Sequence, residues 1–324
     1  MDILSVIIVN FKSWSILKKN LDLLATYEFE KLSLEVIVVD NYSNDGNLRA
    51  FQSTYPQFKI IENTGNWGFA HGCNFGAQHA KGEILLFLNP DTLAPKESLE
   101  KMFLAYKANP QIGILSCKQS EKASSYQKIS PSIFTLFGPQ RSLYKLLYSS
   151  KFTETNCQTC NCQAISPDWI SGSVVMISRA WFDRVEGWNT DYWMYSEDVE
   201  LSKKVKDSGG LLRLLCKVNI VHEHGGASRI NVETSALTKT EVIISQHVYI
   251  QNNFSKIQKI PSHFLLIINT LIFKGLLGIL GVFLFFLPKA RLQFFILKNC
   301  VKYYISAIIN RTWISPKSEK FKHK

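Results

Sequence analysis

Residues 63–92 read NTGNWGFAHGCNFGAQHAKGEILLFLNPDT, and this stretch decides the fold. Gly68, Gly72, Gly76 and Ala80 stand four residues apart, which puts them on one face of a helix that can then lie close on a sheet. The apolar run Ile84–Leu88 follows and stops at Asn89-Pro90-Asp91. An unbroken apolar run of that length fits a parallel strand buried on both faces. The same rhythm precedes it. Ile3–Val9, Leu34–Val39 and Lys59–Ile61 read as strands, and helices are expected at 15–26, 46–54, 68–80 and 96–108. The alternation predicts an α/β fold with a doubly wound parallel sheet. Ligands of such sheets sit beyond the carboxyl ends of the strands. Those ends are Asn10, Asp40 with Asn41, and Asn89-Pro90-Asp91.

Downstream, residues 117–168 lose the periodicity and read as an insertion or mobile loop. Regular structure is expected to resume at Trp169–Ser178, followed by a short helix and the aromatic-acidic segment GWNTDYWMYSEDVEL, 187–201. Two short strands, 211–215 and 218–221, lead into His222-Glu223-His224-Gly225-Gly226, and a long helix is expected over 233–255. The first ten residues lack the basic start of a signal peptide, so the body is expected in the cytosol with its seven cysteines reduced. Cys157, Cys160 and Cys162 have a CxxC spacing but no second ligand pair, and read as incidental thiols of a loop.

The net charge of +11 suggests nucleic acid until it is located. Residues 251–324 hold 12 of the 37 Lys and Arg but one acid, Glu319, which leaves 25 bases and 25 acids in residues 1–250. Basic charge confined to an apolar tail points to an anionic membrane surface, and a nucleic-acid partner is not expected. The run 264–287, FLLIINTLIFKGLLGILGVFLFFL, has 24 residues, 18 of them large and apolar, with Lys274 inside. It is long enough to cross a hydrocarbon core of ~30 Å. Nine bases follow residue 288, however, and a single crossing would send them outside, against the positive-inside rule. A re-entrant or in-plane tail is therefore expected, and the polar stripe Lys298, Lys302 and Ser306 supports it.

Each polar cluster allows two readings. Asp91 leaves a buried strand, where a carboxylate needs either a helix to cap or a divalent cation. Asp40 heads a run of turn-forming residues and could equally accept hydrogen bonds from a ribose or base. Asn66 and Gly68 open a helix whose free N–H groups favour phosphate, although close packing explains the glycine stripe by itself. Glu197 and Asp198 suit a first helical turn, and Glu200 with Lys204 forms an i,i+4 pair expected on the solvent side. Trp188, Tyr192, Trp193, Met194 and Tyr195 crowd in front of these acids, a setting that lines sugar sites and raises a carboxylate's basicity. His222 ends a strand as a structural group or a metal ligand.

The ordered set SVIIVNF (5–11), VIVVDNYSNDG (36–46), residues 63–92, SGSVVMISRAWFDRVEGWN (171–189), YWMYSEDVELSKK (192–204) and VHEHGGAS (221–228) resembles the family 2 glycosyltransferases. It looks most like the rhamnosyltransferase-like branch of bacterial surface-polysaccharide synthesis. The resemblance covers residues 3–255 and implies a GT-A domain over 1–255, with 256–324 as a membrane-associated helical region. It implies inverting transfer from a nucleotide-diphosphate sugar, with Mg²⁺ or Mn²⁺, to a polyprenyl-diphosphate-linked saccharide at the cytoplasmic face of the bacterial inner membrane. By the same resemblance, Asp91 and His222 hold the metal, Asp198 is the general base with Glu197 in reserve, and Asp40 contacts the nucleotide. Asn10, Asn66, Gly68, Asn74 and Asn89 fall on the donor side. Asn189, Glu200 and Lys204 depart from the family's usual Asp, Asp and Arg. The donor could also be another hexose, an N-acetylhexosamine or galactofuranose. A non-catalytic nucleotide-sugar binder would be marked by loss of Asp91 or of the Glu197-Asp198 pair, and both are present.

Overall fold

A computed structural model describes residues 1–120, 163–222 and 231–323. Cys157, Cys160, Cys162, His224 and most of the expected insertion lie outside the described residues. The chain divides into two compact units. One comprises 1–130, 150–189 and 197–226, the other 131–149, 190–196 and 227–324.

The first unit is built on a sheet of strands β1 (Asp2–Asn10), β2 (Leu32–Asp40), β3 (Lys59–Glu62), β4 (Ile84–Leu88), β5 (Thr92–Leu93), β6 (Ile112–Ser120), β7 (Ala164–Ile165), β8 (Val174–Ser178) and β9 (Leu211–His222). The order is β3-β2-β1-β4-β8-β6-β9-β5, with β7 on β9. The first four strands are parallel, and β8 then enters antiparallel between β4 and β6. The expected α/β fold is thus present, parallel in one half and mixed in the other. Helices α1 (Trp14–Leu24), α2 (Asn47–Thr54), α3 (Phe69–Gln78), α4 (Lys96–Lys107), α5 (Arg179–Arg184) and α6 (Glu197–Asp207) complete the unit. Two apolar cores form, one including Leu17, Val38, Leu86 and Met102, the other Ile7, Phe87, Val175 and Trp188.

The glycine stripe of α3 does what its spacing suggests. A Cβ on Gly72 would stand 2.7 Å from Val9, and one on Gly76 would stand 2.5 Å from Ile7. The helix therefore rides directly on β1 and β2. Three local expectations differ. Residues 211–222 form one strand, because β9 pairs in parallel with β6 across a register shift after Cys117 instead of breaking. Residues 117–120 continue β6 and are not loop. Cys216 is disulfide-bonded, so its thiol is not reduced as expected.

The second unit contains residues 190–196 and the helices α7 (Val232–Asn253), α8 (Lys256–Asn269), α9 (Gly275–Phe283), α10 (Pro288–Asn310) and α11 (Glu319–Lys322). A π-helical turn, Thr270–Lys274, joins α8 to α9. The run Lys256–Phe283 is long and apolar enough to cross a membrane by length and composition. His247 of α7, His263 of α8 and Trp313 stack at centroid distances of 4.2–5.2 Å, which fixes the chain beyond α10. That chain then closes on residues 190–196. Ser315 N–H donates to the Asp191 carbonyl at 3.3 Å, and Lys320 Nζ pairs with Asp191 Oδ1 at 2.8 Å. Lys317 Nζ lies 4.4 Å above the Trp193 ring and 3.5 Å from Glu241 Oε1.

Candidate active site

The parallel register brings the polar strand ends to one edge, with Asn10 opposite Asp40 and Asp40 opposite Glu62. Asp40 is 1% exposed. Its Oδ1 accepts from Ser43 Oγ at 2.5 Å and Asn10 Nδ2 at 3.2 Å, and its Oδ2 accepts from the Ser43 N–H at 3.0 Å. The carboxylate thereby shapes the turn over 41–46. Asn41 Nδ2 donates to Asn66 Oδ1 and the Gly68 carbonyl, both at 3.1 Å, and so ties this turn to the start of α3. Helix α3 begins at Phe69, three residues after Asn66. Gly68 stands before it with φ 98°, a conformation that suits glycine.

A second group forms where β4, β6 and β9 end. Thr92 pairs with His222, which places Asp91 beside that strand end. His222 Nε2 lies 3.1 Å from Asp91 Oδ1, and His222 Nδ1 lies 3.0 Å from Gln119 Oε1. An amide oxygen can only accept, so Nδ1 donates to Gln119 and Nε2 is the ring nitrogen that faces the Asp91 carboxylate. Two donors ~2.1 Å from one hard cation at right angles stand ~3.0 Å apart, so the pair fits a divalent ion. Among the described residues no cluster of three or more His, Cys, Asp and Glu forms. Other ligands of an ion there would be water or phosphate oxygens, the usual partners of Mg²⁺.

The third group is the start of α6. Asp198 Oδ2 accepts the Gly172 N–H at 3.0 Å, and Oδ1 accepts the Val199 N–H at 2.9 Å. Burial raises the Asp198 pKa, outweighing those backbone hydrogen bonds, which lower it. Glu197 is buried at 6% exposure. Glu200, expected on the solvent side with Lys204, is 3% exposed and accepts from Asn189 Nδ2 at 2.6 Å. Lys204 turns instead to the Val185 carbonyl. Trp188 is also core, packed edge-on against Phe69 and Phe87, and does not line an open site. Asn74 uses its whole amide on the Trp188 backbone, donating to the carbonyl at 2.8 Å and accepting the N–H at 3.0 Å.

One short turn connects these groups. Gly172 N–H holds Asp198, while the next residue, Ser173, donates from Oγ to Gln119 Oε1 at 2.7 Å, the oxygen that also meets His222. The Ser173 carbonyl accepts the Asn89 N–H at 3.0 Å. Asp91 and Asp198 are thus linked through Gly172, Ser173, Gln119 and His222. Sequence reasoning assigned no role to Gln119, Gly172 or Ser173. The Ser-Gly-Ser signal at 171–173 was visible, but its partners are remote in sequence.

A low-salt glycan biosynthesis hexosyltransferase of Haloferax volcanii is 27% identical over 223 residues, 64% of this chain and 62% of its own length. The N-acetylglucosaminyl-diphospho-decaprenol L-rhamnosyltransferase of Mycobacterium tuberculosis is 23% identical over 68% of this chain and 76% of its own. Among solved structures, a mannosyltransferase from Pyrobaculum calidifontis in complex with GDP-Man and Mn²⁺ superposes with a TM-score of 0.55. It is 18% identical, and the match covers 92% of this chain and 86% of that one, a likeness of fold. The family description "N-terminal domain of galactosyltransferase" matches residues 154–224. The description "Glycosyl transferase family 2" matches residues 5–171. With the mixed GT-A sheet and its ordered strand ends, that match over half the chain establishes that the protein belongs to glycosyl transferase family 2.

Proposed function

We propose that this chain is an inverting, metal-dependent glycosyltransferase that moves L-rhamnose from dTDP-rhamnose onto a polyprenyl-diphosphate-linked saccharide at the cytoplasmic face of a bacterial inner membrane. The observation that carries the reading is the turn 171–173, from which contacts run to Asp198 through the Gly172 N–H and to Asp91 through Ser173, Gln119 and His222. A sugar hydroxyl is a weak nucleophile at neutral pH and needs a base as the new bond forms. Asp198 is that base. Its buried carboxylate has raised proton affinity, and the Gly172 and Val199 N–H groups fix its orientation. Glu197 is the reserve. One base without a covalent nucleophile gives a single displacement, hence inversion. Asp91 and His222 hold Mg²⁺ or Mn²⁺, which when bound offsets the charge that builds on the departing diphosphate. Asn10, Asp40, Asn66, Gly68 and Asn89 frame the donor edge. Asp40 acts there by shaping the turn, and Asn74 by fixing the backbone at Trp188.

The rhamnosyl donor and the lipid-linked acceptor follow the name of the mycobacterial relative. A hexose donor is the second reading, favoured by the name of the archaeal one. The exposed apolar tail supplies the membrane contact.

The test compares two variants against the parent by donor binding and transfer. Asp198→Asn should bind nucleotide sugar within a few-fold of the parent while transfer falls by about 10² or more. Because the base must be ionised and its pKa is raised, transfer in the parent should fall on acidification earlier than an ordinary aspartate would dictate. Asp91→Ala should lose both activity and the response to added metal. Full transfer by the first variant, or an unchanged metal titration in the second, overturns the assignment.

A further inference from the structure

We infer that α8, α9 and α10 form a helical paddle lying in the plane of an anionic lipid surface, inserted into one leaflet without crossing it. The inference rests on the membrane partner proposed above and specifies how it is engaged. Ile257, Ile260, Phe264 and Leu271 are 88%, 79%, 60% and 43% exposed. Ile257, Ile260 and Phe264 stand three and four residues apart on one face of α8, and Leu271 carries the exposed apolar surface into the π-helical turn. Further exposed apolar groups follow, with Phe283 at the end of α9 and Phe286 in the turn before α10 each 76% exposed.

Two features count against a single crossing, and a third against any span through α10. Helix α9 folds back on α10, with Gly278 against the Leu297 side chain and Gly281 against the Ala290 carbonyl. The bare glycines allow that approach, and the two legs of the hairpin therefore open to one side. Beyond α10 the chain returns to residues 190–196, where Ser315 and Lys320 both bind Asp191. A single crossing would put these partners on opposite faces of the bilayer. Finally, Lys298 and Lys302 stand exposed near the middle of the 23-residue α10, beside Val301 at 40% and Ile305 at 54% exposure. In a spanning helix these cations would sit in hydrocarbon; in the plane of the surface they reach the headgroups while their apolar neighbours dip below. The 12 bases and single acid of residues 251–324 select an anionic surface as the occupant.

The full chain is mixed with phosphatidylcholine vesicles, with and without phosphatidylglycerol, and bound protein is sedimented. Binding should require the anionic lipid. Ile260→Glu with Phe264→Glu should weaken it about tenfold or more, and Lys298→Glu with Lys302→Glu should reduce the anionic preference. Nucleotide-sugar binding by each variant checks its folding. Tryptophan placed by Phe286→Trp, or by Phe283→Trp as a second probe, should add emission that lipids brominated near the headgroup quench more than lipids brominated near the chain end. Stronger quenching at the chain end, with a C-terminal epitope shielded from protease on the side that exposes the N-terminus, overturns the in-plane mode and leaves the membrane partner standing. Absence of binding to either vesicle removes the membrane partner itself. Self-association that the Ile260 and Phe264 variants abolish would then assign the face to a second copy.

Discussion

Asn189 and Glu200 both depart from the residues usual in the family, and they meet. The Asn189 amide donates to Glu200 Oε1 at 2.6 Å, so a neutral donor faces a carboxylate that is 3% exposed. Restoring an acid at 189 would set two carboxyl groups against each other out of water. Asn189→Asp should lower stability by about 1–3 kcal/mol, and adding Glu200→Gln should recover most of the loss, as read from denaturation midpoints. If the double variant is no better than the single, the two residues are not energetically coupled. At this scale the sequence shows chemistry better than contacts. Asp91 and Asp198 stand out because a carboxylate after an apolar strand, or beside aromatic residues at a helix start, calls for compensation. Gln119 and Ser173 do not, since an ordinary amide and hydroxyl acquire their role only when strands 54 residues apart are neighbours. Glu200 misleads because helix spacing suggests Lys204 as its partner, whereas the turn carrying Asn189 covers that side.

Among the elements, α3 was the most legible. Four-residue spacing of small side chains states which face is buried and how near the sheet must come, and the contacts of Gly72 and Gly76 with Val9 and Ile7 agree. Gly76→Ala would push a methyl group to 2.5 Å from Ile7 Cγ2 and 3.1 Å from Val39 Cγ2 on two central strands. The expected loss is about 1–3 kcal/mol, measured by denaturant unfolding, with no change in metal response. A neutral outcome would show that α3 can lift off the sheet. Strand β9 was less legible. A break near Cys216 looks like a boundary when read along the chain, but pairing with β6 carries the strand through by shifting register between Cys117 and Lys118. Such pairing is a property of two remote segments, and neither shows it alone.

For the whole molecule, the ionisation of Glu241 in the helical unit sets a pH trend. Burial raises its pKa despite Lys317 at 3.5 Å and the Ser315 hydroxyl at 3.0 Å. A carboxyl group with a raised folded pKa favours the folded state most at pH values below its unfolded pKa, and that contribution is lost as pH rises through the folded value. The stability of the parent relative to Glu241→Gln should therefore be greatest in acid and fall as pH rises, as read from melting temperatures across pH. A variant that melts lower at high pH would show that the charge stabilises the fold. The same corner of the molecule bears on biosynthesis. Lys320 closes on Asp191 across 129 residues of sequence. At ribosomal speeds of about 5–20 residues per second, Asp191 waits on the order of ten seconds for Lys320 to emerge, well after Ser245 and Asn252 of α7 can bind Met194 and Asp191. Maturation of that segment is thus timed by translation, and a polypeptide interrupted shortly after α10 would keep its sheet while lacking the clasp.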